Sequence, residues 1–219
     1  KLEHTNIVAI HDYDTDPTSG STYIVMRLLG GGTLGDRLEE RLKTNQRLPS
    51  LFEVGHLLEA LGSALDYAHA QGVIHRDLKL SNIMFDHHGN PFLVDFGIAR
   101  VADLTQGTRT GFAMGTPDFM APEVWHGVPA TAATDQYAMG VVIYTLLTGL
   151  QPFRGDTPYA VMHKHVNEMP TAPHLVRSDI PEPVSAVLSR ALAKDPTQRF
   201  PKMTTFAQMF SAAIDGFPK

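Results

Sequence analysis

No cysteine occurs among the 219 residues, which excludes disulfides and thiolate metal sites and suits a cytosolic setting. No sign of charge dominates either: 18 Lys and Arg stand against 23 Asp and Glu, a net charge of −5. That balance lacks the basic footprint of a protein that grips nucleic acid through its phosphates, so no nucleic-acid partner is expected. Also missing are a signal peptide and any apolar run of membrane-spanning length. What is present is 43% hydrophobic residues, enough for one large domain with a sizeable core.

The chain opens directly on apolar, strand-like sequence at Lys1, which reads as a cut inside a domain. Asn6 to Ile10 and Thr22 to Met26 flank a turn-forming tract, Asp14 to Ser21, and read as an antiparallel hairpin. Gly30-Gly31-Gly32 invites comparison with a phosphate cradle. It lacks the spacing and the following Lys-Ser/Thr of a P-loop, and a turn into a helix is the better reading. Thr33 caps that helix, which runs to about Lys43. Ser50-Leu51-Phe52-Glu53 is a capping box opening a helix through Gln71, whose Leu58, Leu61, Leu65 and Ala68 mark a core face. Gly72 stops it. The segment from Thr134 to Thr148 has no polar face and is expected to be buried. Further helices are expected after Thr157-Pro158, over Pro183–Ala193 and over Thr204–Ile214. His87-His88 lacks a third metal ligand nearby and reads as a solvated turn, and His163 and His165 face different sides of their helix.

Chemistry concentrates in His75-Arg76-Asp77-Leu78-Lys79-Leu80-Ser81-Asn82, answered by Asp95-Phe96-Gly97 and then Ala121-Pro122-Glu123. Asp77 can accept a proton, Lys79 can neutralise phosphate charge, and Asn82 and Asp95 offer hard oxygen ligands for Mg²⁺. Phosphoryl transfer needs these parts: a base to orient a hydroxyl, and metal-bridged phosphates held in line. The three motifs in this order resemble the protein-kinase signature set. Leu146 to Phe153 and Ala191 to Arg199 are similar to the bacterial branch of serine/threonine kinases, and the resemblance covers essentially the whole chain.

That resemblance implies an α+β, protein-kinase-like fold, mainly the helical C-terminal lobe with a remnant of the small-lobe β-sheet. Residues 1–29 would be the remnant and hinge, 30–215 the C-terminal lobe and 216–219 a tail. The hairpin remnant, marginal alone, would have to lean on the helical lobe. It implies ATP with Mg²⁺, or Mn²⁺ in its place, and transfer of the γ-phosphoryl group to a protein Ser/Thr hydroxyl. By the same resemblance Asp77 is the base, Lys79 and Thr116 complete the catalytic group and mark the Ser/Thr class, and Asn82 and Asp95 hold the metal. Met26, Leu28, Leu29 and Met84 would line the adenine site, with Leu28 and Leu29 offering hinge backbone groups. His75, Phe96 and Gly97 belong to the family's spine and metal loop. Arg76 would dock a phosphate on Thr105, Thr108 or Thr110, Glu123 would pair with Arg199, and Asp135 would accept from the catalytic-loop backbone.

Two positions depart from the family: Leu80 stands where Pro is commoner, and Arg27 where an acid is common. The family's Gly-rich loop, strand-three Lys and helix-C Glu would lie before Lys1, so the segment alone is expected to transfer phosphate weakly or not at all. A kinase dimer for trans-autophosphorylation is a further expected partner, and the parent protein is expected in the cytoplasm, with any membrane anchor outside this segment. The alternative function is a silent kinase-like scaffold. Retention of Asp77, Asn82 and Asp95 argues against it, and the complete segment through Glu123 argues against a small-molecule phosphotransferase.

Overall fold

The computed structural model describes residues 2–96, 117–215 and 217. Gly97, Thr105, Thr108, Thr110 and Thr116 lie outside these residues. Two two-stranded antiparallel sheets precede a set of helices. Strand β1 is Ile10–Thr15 and β2 is Thr22–Met26, paired from Ile10 opposite Met26 to Thr15 opposite Thr22. Strands β3 (Ile83–Phe85) and β4 (Pro91–Leu93) form the second hairpin.

The helices are α1 (Leu34–Lys43), α2 (Leu51–Ala70), the short α3 (Pro122–Trp125), α4 (Ala132–Thr148), α5 (Pro158–Asn167), the short α6 (Pro173–Val176), α7 (Glu182–Ala191) and α8 (Met203–Ile214). The caps legible in the sequence form: Thr33 with Asp36, and Ser50 with Glu53, each make reciprocal capping boxes. Gly72 and Gly149 end α2 and α4 at φ of +73° and +71°, the left-handed region glycine enters without steric cost. Every residue from Thr134 to Thr148 is buried, so α4 is the hub against which α2 and α7 pack, and α8 in turn packs on those two helices. The boundaries of α7 and α8 fall one or two residues from expectation, and the short α6 lies between α5 and α7, where no helix was expected.

The first hairpin differs from expectation in two ways. The strand begins at Ile10, not Asn6, and runs on into the polar tract. Ile7 and Val8 pair instead with β4: Val8 N–H donates to the Leu93 carbonyl at 3.0 Å and Leu93 N–H to the Asn6 carbonyl at 2.8 Å. Both side chains are buried there, so apolar cover decides the pairing. The second difference is support. All of β1 is exposed, and Tyr13, Tyr23 and Val25 stand in solvent, so among the described residues the hairpin leans on the larger lobe only at its base, where Met26 packs on Phe92 and Val94.

One buried histidine in this core makes stability pH-dependent. His165 of α5 is fully buried, shares a 2.9 Å hydrogen bond with the Tyr137 hydroxyl, and sits against the Phe153 ring. Burial, and then the neighbouring Lys194 ammonium, lower its pKa from 6.5 to about 4. Because the folded pKa is depressed, the unfolded chain binds the extra proton between these values and stability falls as pH drops through that window. Full passage costs roughly 3 kcal/mol. Urea titrations at pH 5 and 7 should show about 2 kcal/mol of this loss, and His165→Gln should remove that part of the slope. An unchanged pH slope in the variant would assign the effect elsewhere.

Candidate active site

The site is assembled where α2 ends, the loop 75–79 crosses, and the β3–β4 hairpin returns. Asp135, fully buried at the start of α4, holds the loop from below. Its Oδ2 accepts from His75 N–H at 2.8 Å and its Oδ1 from Arg76 N–H at 2.9 Å. His69, on the last turn of α2, also bonds Asp135 Oδ2, at 2.7 Å. Sequence reasoning placed Asp135 here and missed His69, which is 66 positions from its partner with no local pattern to mark it. The grip holds Arg76 at φ +70°, a conformation that non-glycine residues rarely adopt and that persists only when neighbours impose it.

His75 is packed, as expected of a structural histidine. Its Nε2 bonds the Val94 carbonyl at 2.9 Å, and its ring lies 4.6 Å from that of Phe96. Burial lowers its pKa, outweighing the nearby carboxylates, so the ring is neutral at pH 7. The contact ties the loop 75–79 to the segment carrying Asp95, whose φ is +63°. Asp95 is exposed, at the end of β4.

Asp77, Lys79 and Asn82 come together on one carboxylate oxygen. Lys79 Nζ donates to Asp77 Oδ2 at 2.7 Å, and Asn82 Nδ2 donates to the same oxygen at 3.0 Å and to the Asp77 carbonyl at 2.8 Å. Among the described residues nothing donates to Oδ1. With its amide nitrogen committed to Asp77, Asn82 directs its Oδ1 elsewhere, where Ser81 Oγ approaches only to 3.4 Å. Asn82 is buried while Asp77 and Lys79 stay partly open, so a substrate can reach the acceptor oxygen.

An apolar cluster lies beyond the β3–β4 hairpin: Val8, Leu29, Phe92 and Val94 are buried, with Met26 and Met84 packed on them. Three of the four expected adenine-site residues, Met26, Leu29 and Met84, are thus brought together in this cluster. The Leu28 side chain is 91% exposed, leaving only its backbone to contribute. The turn that follows is tight: a Cβ on Gly31 would stand 2.4 Å from the Asp86 carbonyl oxygen, so only glycine fits.

Arg27 finds a local answer. Its Nη2 pairs with Asp86 Oδ2 at 3.3 Å and its guanidinium covers the Phe92 ring at 4.8 Å. Asp86 is buried, which opposes ionisation. Hydrogen bonds from the Asn90 side chain and backbone and from His88 N–H outweigh this and hold its pKa at about 2. Asp86 thus closes the β3–β4 turn and anchors the segment before the hinge, a double use that sequence reasoning did not see.

Farther from the site, Glu123 and Arg199 form a bidentate pair, Nη1 to Oε1 and Nη2 to Oε2 both at 2.8 Å, and both residues are buried. Thr134 Oγ1 donates to Glu123 Oε1, and Arg199 also donates to the carbonyls of Ala193, Ala133 and Lys194.

With this geometry in place, comparison with known proteins is direct. The family model described as "Protein kinase domain" matches residues 1–211, and the chain belongs to the protein kinase family. It is 38% identical over 205 residues to serine/threonine-protein kinase PksC of Streptomyces coelicolor, covering 92% of this chain and 37% of that protein. It is 37% identical over 218 residues to serine/threonine-protein kinase PknA of Mycobacterium tuberculosis, covering 98% of this chain and 49% of that protein. The chain spans half or less of the length of these curated relatives. Among solved structures, the Mycobacterium tuberculosis PknI kinase domain superposes with a TM-score of 0.75 at 26% identity, over 97% of this chain and 74% of that one. The protein kinase family in general uses ATP and a divalent metal and acts on proteins. No described helix is long and apolar enough to cross a membrane.

Proposed function

We propose that this chain works as the catalytic part of an ATP-dependent serine/threonine protein kinase in the cytoplasm. The observation that carries the reading is the Asp77 carboxylate: Lys79 and Asn82 occupy Oδ2 and leave Oδ1 as an acceptor in an accessible cleft. In the proposed reaction Oδ1 accepts the proton of a Ser or Thr hydroxyl as its oxygen attacks the γ-phosphorus of ATP, and ADP leaves on the opposite side. Lys79, held beside Asp77, offsets charge on the transferring group. The resemblance carries a parallel role for Thr116.

The donor set fits Mg²⁺ or Mn²⁺. Asn82 presents its amide oxygen because its nitrogen is committed to Asp77, and Asp95 supplies an exposed carboxylate. Two oxygen ligands, completed by phosphate and water, are what Mg²⁺ commonly takes from a protein at nucleotide sites. Bound there, the metal would neutralise phosphate charge. Met26, Met84, the backbone of Leu28 and buried Leu29 are read as the adenine site, and the change from hinge to helical lobe at residue 30 belongs to the same proposal. Arg76 is read as the dock for a phosphate on Thr105, Thr108 or Thr110, added in trans within a kinase dimer, with His75, Phe96 and Gly97 supporting the metal loop.

Incubation of the full-length natural protein with radiolabelled ATP and Mg²⁺, followed by mass-spectrometric mapping, tests this. Incorporation on serine or threonine that requires Mg²⁺, with at least one site among Thr105, Thr108 and Thr110, is the expected result. Background label at every metal concentration, with and without a protein acceptor, would favour a silent scaffold.

A further inference from the structure

We infer that a cavity between α1, α2 and the β3–β4 hairpin is a second binding site, for a small amphipathic carboxylate. The cavity, open to solvent on one side, offers about 550 Å³ and is walled mainly by Leu34, Leu38, Val54, Leu57 and Phe85, with Arg37 also in its lining. Its size lies within the roughly 300–1,000 Å³ of small-molecule sites, and its apolar wall suits an aliphatic or aryl body.

The cavity is distinct from the nucleotide side. Along β3 side chains alternate, so Met84 joins the apolar cluster with Leu29 and Phe92, while Phe85 turns to the opposite face and lines the cavity.

The charge preference comes from Arg37. Its guanidinium lies 3.6 Å from the Phe85 ring centroid, and Nε and Nη2 both donate to the Gly31 carbonyl, at 3.1 and 3.0 Å. Among the described residues no carboxylate pairs with it. Neighbouring Arg41 is matched by Glu53 at 2.9 Å, and the other oxygen of Glu53 accepts from Ser50 N–H, so that carboxylate is committed. Glu40 and His56 also reach the rim and are exposed to solvent. Burial and then the Arg41 charge make the Arg37 cation less favourable than in water. A ligand carboxylate beside it would relieve both effects, and one unmatched cation calls for a monoanion. Arg37 also holds the Gly31 carbonyl, so an occupant would touch the turn that follows the hinge.

Calorimetric titration of sodium decanoate into the full-length natural protein, with decanol as the uncharged control, tests the site. Saturable binding at one site is expected, weakened about tenfold for decanol and in Arg37→Gln, and lost in Ala60→Leu, which fills the cavity from a partly exposed helical position. If Arg37→Gln fails to fold, the decanol comparison carries the test of charge. Absence of saturable decanoate binding, or binding unchanged in Ala60→Leu, overturns the site. Decanol binding as tightly as decanoate overturns the carboxylate preference.

Discussion

Asp77→Asn is expected to lower kcat by roughly 10²–10⁴-fold, the range that a lost general base commands. The fold should survive, and the reason is geometric. Asp77 Oδ2 accepts from Lys79 Nζ and Asn82 Nδ2, and an asparagine can keep its amide oxygen in that place. Its NH₂ then occupies the position of Oδ1, where an acceptor is needed. The substitution thus preserves both internal hydrogen bonds and replaces the one atom that would receive the hydroxyl proton. Steady-state kinetics on the full-length natural protein should show a fall in kcat with the KM for ATP nearly unchanged and the Tm close to that of the parent. Activity within about threefold of the parent would sink the assignment of Asp77 as base.

Arg199→Met is expected to cost about 3–5 kcal/mol, because it leaves Glu123 as an uncompensated buried carboxylate. Both partners are at most 8% exposed, and Arg199 satisfies three carbonyls besides the carboxylate. For a domain near this size the loss corresponds to a Tm decrease of roughly 6–20 °C by calorimetry. Burial would raise the Glu123 pKa, but the Arg199 guanidinium outweighs it and holds the carboxyl below its ordinary 4.5. With the folded pKa depressed, the contribution is complete above that ordinary value and is lost as pH falls through the folded one. Combining Arg199→Met with Glu123→Gln should recover part of the loss, since no charge then remains buried. A single variant melting within about 2 °C of the parent would show that the pair contributes little.

Much of the site was legible because its residues are close in sequence. Asp77, Lys79 and Asn82 lie within one loop, so their meeting on one carboxylate follows from short-range spacing. Local caps were legible for the same reason: Ser50 and Glu53 meet within a single turn of α2. The burial of α4 followed from its lack of a polar face. The start of β1 was not legible, because Ile7 and Val8 suit a strand wherever they pair, and only the free edge of β4 decided where. The cap of α8 is another example. Lys202 provides no side-chain cap, and Asp66 of α2 instead accepts from Met203 N–H and Thr204 N–H.

By itself, then, the sequence determined the family, most of the order of the elements and the closeness of Asp77, Lys79 and Asn82 within one loop. Short-range periodicity, capping and motif spacing act over a few residues and need no knowledge of the rest of the chain. Only the tertiary structure decided which distant polar groups meet: the resemblance implied Glu123 with Arg199 and Asp135 beneath the loop, but neither His69 nor the pairing of Arg27 with Asp86. His69 and Asp135, Arg27 and Asp86, and Glu123 and Arg199 lie 66, 59 and 76 positions apart. Each joins polar groups that packing takes wholly or partly from water, and such groups must find partners wherever the fold brings one within reach.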